Sequence, residues 1–88
     1  MQIITTNGTT YDVDWILDTE TRNGEQQLTI KMPGDINLED IMANLVGAEQ
    51  IISVKENGVR TVYEGYTQMD HIIYSQNRKK LRLTLEKG

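Results

Sequence analysis

Few residues of this chain belong to the types that do covalent chemistry. Serine occurs only at Ser53 and Ser75, and His71 is the one imidazole. Ser75, His71 and Asp70 have the residue types of a hydrolytic triad, where a base takes the nucleophile's proton and a carboxylate orients the base. Their closeness along one predicted strand opposes that use. Neighbouring strand residues point to opposite faces, which would separate Asp70 from His71. No Gly-x-Ser-x-Gly turn is present to expose a serine. His71 therefore reads as a half-buried histidine between apolar neighbours.

Asp12 and Asp14 stand two apart and would share a strand face, as a hard cation or a divided acid–base role requires. A bare pair on the polar side of a strand reads instead as solvated surface. Cysteine is absent, so there is no disulfide framework and no thiolate metal site. The glycines are dispersed and never approach a phosphate-binding loop. Asn7-Gly8-Thr9 has the form of a glycosylation acceptor, but its role as a turn accounts for it. The expectation is a protein that is not an enzyme, with no catalytic residues, no cofactor and no metal.

The aromatic residues are Tyr11, Trp15, Tyr63, Tyr66 and Tyr74. Tyr63 and Tyr66 flank Gly65 and suit either the edge of the core or a small exposed platform, since amphipathic rings serve both roles. Glu64 stands between them, where a base-stacking surface would want a cation. Trp15 is expected in the core. Charge is unevenly placed. Residues 1–77 carry twelve acids and four bases, whereas residues 78–88 carry five bases and one acid. An acidic body opposes general nucleic-acid binding. Its basic end suits head-to-tail association, unless that end is simply an edge strand protected by lysines. The predicted interaction surface is accordingly Tyr63, Tyr66, Arg78, Lys79, Lys80 and Arg82.

These residues must be positioned by a single small domain, residues 1–88, near the lower limit of independent stability. With no disulfide or metal, oligomerisation remains as a compensation. No apolar run is long enough to span a bilayer, and residues 1–6 have no basic and apolar leader, so no secretory signal is expected. Asn-Gly occurs at 7–8, 23–24 and 57–58, each between strand-like flanks, and predicts three hairpins with type I′ turns. Tyr11, Val13, Trp15 and Leu17 alternate with acids and predict one half-buried strand. Leu28, Ile30 and Met32 alternate likewise until Pro33-Gly34 ends their strand.

Ile36, Leu38, Ile41, Met42, Leu45 and Val46 change to helical spacing, with Asn37 as N-cap and Gly47 as terminator. Strands return over 51–56, 59–64 and 66–74, with a bulge or bend at Gly65. A turn at Ser75–Arg78 then leads into Leu81, Leu83 and Leu85. The fold class is α+β, a mostly antiparallel, strongly bent sheet of about six strands with one short helix packed on it, in β-β-β-α-β-β-β order.

One resemblance accompanies this layout. The Thr-Asn-Gly-Thr hairpin at 6–9, the Leu-Glu-Asp-Ile helix at 38–41 and the Glu56–Thr67 stretch resemble small proteins of phage and prophage tail regions in Gram-positive bacteria. The closing Leu-Arg-Leu-Thr-Leu-Glu adds to it. The resemblance transfers no functional residue. It implies a tail- or baseplate-associated assembly protein of the host cytoplasm or the virion, working by protein–protein docking or homo-oligomerisation, with neither membrane nor nucleic acid as partner. The competing reading is a small acidic phage-encoded inhibitor of a host nucleic-acid-handling or defence enzyme, using an acidic face of Asp12, Asp14, Asp18 and Glu20. A third is a small-molecule or saccharide site built from Trp15, Tyr63 and Tyr66.

Overall fold

The computed structural model describes residues 1–75, 77 and 80–88. Eight strands and one helix follow in chain order: β1 (Gln2–Thr5), β2 (Thr10–Asp12), β3 (Trp15–Glu20), β4 (Gln26–Pro33), α1 (Leu38–Asn44), β5 (Gln50–Val54), β6 (Arg60–Glu64), β7 (Gln68–Ser75) and β8 (Lys80–Glu86). They form two four-stranded antiparallel sheets, ordered β2-β1-β5-β6 and β3-β4-β8-β7. The α+β class and the antiparallel pairing agree with the sequence. The single sheet of about six strands does not.

The chain turns from the first sheet into the second at two places, one inside the Thr9–Leu17 stretch that is expected as a single strand, the other at Gly65, where a bulge or bend is expected between two strands. The Thr10–Leu17 stretch breaks at Val13-Asp14. The Val13 amide donates to the Met1 carbonyl in the first sheet, and the Asp14 amide donates to the Lys31 carbonyl in the second, at 2.9 and 2.7 Å. The 59–75 stretch breaks at Gly65–Thr67. Gly65 donates to the Glu49 carbonyl, and its own carbonyl accepts from Gly88. Gly65 has φ of 81° there, and a Cβ would come within 3.4 Å of Lys87, so glycine suits this corner. The first corner reverses the phase of burial, since Tyr11 and Val13 face the core before it and Ile16, in place of Trp15 and Leu17, packs on the core after it. The apolar residues of the sequence alternate straight through that corner, so periodicity could not reveal it, whereas Gly65 marked the second.

All three Asn-Gly turns close alike. Thr5, Thr21 and Lys55 each accept from the glycine three residues on and donate to the carbonyl four residues on. This is a three-residue loop ending in a left-handed glycine (φ 80–85°), not the two-residue type I′ turn.

One apolar core lies between the sheets. Leu28, Ile30 and Met32 of β4 and Leu81, Leu83 and Leu85 of β8 are essentially inaccessible, as are Ile3 and Ile51 of the first sheet. Each such side chain contributes about 1.5–3 kcal/mol. β8 is central in its sheet, so the basic end is not an edge strand. The helix begins at the Asn37 cap, whose side chain accepts from the Glu39 amide, and sends Ile41 into the core, followed by Leu45 at its C-cap. Tyr11 pins it, donating to the Asp40 carbonyl and accepting from Asn44, both at 3.2 Å. Leu38 and Met42, expected on its buried stripe, remain 41 and 43% exposed. No described helix is long and apolar enough to cross a membrane.

Candidate functional site

The outer face of the second sheet is built by strand alternation. Leu28, Ile30, Leu81, Leu83 and Leu85 point inward, so their neighbours point out. Strand register then arranges those neighbours in rows across all four strands. One row reads Trp15, Lys31, Arg82, Ile73, and the next Leu17, Thr29, Thr84, His71. Trp15 is thus half-buried on the outer face and not in the core, because the Val13-Asp14 corner separates it from Tyr11 and Val13. Leu17 and Ile73 are 52 and 47% exposed. Trp15, Lys31, Ile73, Lys80 and Arg82 line a shallow hollow of about 260 Å³.

Lys31 and Arg82 face each other directly across β4 and β8. Like charges in that position destabilise a sheet. Among the described residues Lys80 is the lysine or arginine that pairs with a carboxylate, that of Asp14 at 2.6 Å, and neither Lys31 nor Arg82 has an anionic partner. An apolar side chain stands at each end of this cationic pair.

The neighbouring row holds a polar relay. His71 Nδ1 lies 2.6 Å from Asp70 Oδ2, and Nε2 lies 3.4 Å from the Thr84 hydroxyl, which lies 3.2 Å from that of Thr29. Strand alternation should have kept Asp70 and His71 apart. A register shift between Met69 and His71 overturns that expectation, since a bulge adds one residue and re-aims the side chain beside it. Ser75 takes no part in this relay. Thr84 is only 3% exposed, so its hydroxyl orients His71 and is not presented to a substrate.

The remaining candidates disperse. Tyr66 is 3% exposed and packs edge-on against half-buried Tyr63, with centroids 6.4 Å apart and planes at 75°. Of the two roles open to them, the structure gives the core edge and not the exposed platform, because both rings follow the β6 corner inward. Tyr66 donates to Asp18 at 2.9 Å, and Lys87 sits 5.4 Å from its ring. Burial, then the bond to the Asp18 carboxylate and its charge, pushes the Tyr66 hydroxyl from its usual 10 up to about 12. Trp15 and the two tyrosines do not converge on one pocket.

Asp12 and Asp14 do not form a pair either. Asp12 accepts from Gln2 in the first sheet, whereas Asp14 binds Lys80 at the second. With Asp18 engaged by Tyr66, the four carboxylates Asp12, Asp14, Asp18 and Glu20 do not compose one surface. Lys80 and Arg82 do lie on the outer face of the second sheet. Arg78 and Lys79, with Gln76 and Arg78 of the expected turn, lie outside the described residues.

Sequence reasoning missed Trp15, Lys31 and Ile73 as surface partners of Arg82. The signal that was available is the outward phase of each strand, Trp15 and Leu17 against Leu28 and Ile30, but it needs the register to be read. Comparison with protein-family models, with curated proteins and with solved structures finds no match for this chain.

Proposed function

We propose that the protein is a non-enzymatic docking module whose outer second-sheet face binds protein. In the setting the tail-region resemblance implies, it serves assembly of a phage or prophage tail or baseplate. One observation carries the reading: the row Trp15–Lys31–Arg82–Ile73, in which two facing cations without anions stand between apolar side chains. A face of this kind loses stability in the free chain and recovers it when an acidic, partly apolar surface covers it. Tryptophan and arginine are also the residues that most often dominate the energy of protein interfaces.

Co-purification with each product of the surrounding tail-gene region, and with a second tagged copy, tests it. Wild-type protein should retain a partner, and the Trp15→Ala/Arg82→Glu variant should lose it while keeping its fold. Partners held equally by both proteins, or no partner and no self-association at low salt, would refute the docking face.

A further inference from the structure

We infer that the occupant of this face is a second copy of the chain, which lays helix α1 across it head to tail. The inference rests on the docking reading above. It starts from a second surface that the fold leaves uncovered. Met42 neighbours both Leu38 and Glu39 on the outer side of α1, since residues three and four apart on a helix sit together. Leu38 and Met42 are exposed although both are large and apolar, and Asp35, Glu39 and Asp40 around them are exposed too. Between Lys31 and Lys55 the chain carries four acids and no base. Among the described residues none of these acids has a cationic partner.

The two surfaces are complementary in charge and in shape. The sheet face has a floor of Lys31 and Arg82 between two apolar walls, Trp15 on edge strand β3 and Ile73 on edge strand β7. Three strand spacings separate the walls, about 14 Å, and a helix with its side chains is about 10–12 Å across. A helix therefore fits between them, its Leu38 and Met42 side against one apolar wall and its Glu39, one position round the helix, over the cations. Covering an open sheet with a helix is also how this sheet type normally excludes water.

Helix and face belong to different parts of one molecule, so a contact made once per chain generates a ring or a filament, and the same contact made reciprocally closes a two-fold dimer. That geometry agrees with the proposed assembly role, and salt should weaken the contact.

Light scattering on a sizing column tests this with two double variants, at exposed positions except half-buried Lys31, both checked for native circular dichroism. Wild-type protein at low salt should run as an oligomer that loosens in high salt. Lys31→Glu/Arg82→Glu breaks the face, and Glu39→Lys/Met42→Lys breaks the helix surface. Each variant alone should run at the mass of one chain, and an equimolar mixture should restore association, because each brings the surface the other lacks. An oligomer dissolved by the face variant but untouched by the helix variant would overturn this inference and leave the docking face standing. An oligomer indifferent to both would overturn the two together. A wild-type monomer would overturn the self-docking, and if its Trp15 emission responds to a labelled single-stranded oligonucleotide, the occupant is nucleic acid and both readings fall.

Discussion

Reversing one charge of the facing pair on the outer sheet should make the isolated fold more stable while impairing docking. Arg82 lies directly opposite Lys31, and Arg82→Glu turns a repulsive cross-strand pair into an attractive one. Cross-strand pairs contribute about 0.2–1 kcal/mol in either sense. Removing one penalty and adding one gain therefore comes to about 1 kcal/mol. In a domain of this size that raises Tm by about 4–8 °C. Arg82→Gln keeps much of the stem and removes only the charge, so it should give about half the gain. The assay is urea and thermal unfolding of both variants, at a concentration low enough for single chains. In 1 M salt, where the screening length is about 3 Å, the differences should shrink toward zero. A destabilised Arg82→Glu, or a gain unchanged by salt, would refute the view that these cations oppose each other in the free protein. The coupling of a gain in stability with a loss of association is the signature expected of residues placed for binding.

Other predictions concern the frame behind this face. Tyr66 has a higher pKa folded than unfolded, so its contribution is fully present below pH 10 and is lost as pH rises from 10 toward 12; Tyr66→Phe should flatten that alkaline fall in unfolding free energy relative to wild type. The same substitution removes the donor to Asp18 and should cost about 1 kcal/mol at neutral pH, read from urea midpoints. Gly65→Ala forces an L-residue into φ of 81° beside Lys87 and should cost about 1–2 kcal/mol by the same assay. Leu83 is inaccessible at the centre of the second sheet, and Leu83→Ala should cost about 2–5 kcal/mol and unfold much of the protein near body temperature, as circular dichroism would report.

Local order alone determined a large part of this protein. Apolar alternation over 28–32 and 81–85 marked the two strands that supply the largest shares of the core, and both positions and phase agree with the structure. The three Asn-Gly pairs located three hairpins, and Asn37 located the start of the helix. These features depend on a few neighbouring residues, whose backbone preferences and side-chain period are printed in the chain. Tertiary structure decided what period cannot carry. The corners at Val13-Asp14 and Gly65–Thr67 divide the strands between two sheets, reversing the phase of burial so that Trp15 moves outward and Tyr66 inward. The bulge before His71 brings Asp70 to its ring, against the rule of opposite faces. Lys31 and Arg82 stand fifty-one residues apart and meet only through the β4–β8 register. A binding face assembled across four strands exists only once their order and register are set, and those follow from the burial of the whole core, not from any one segment.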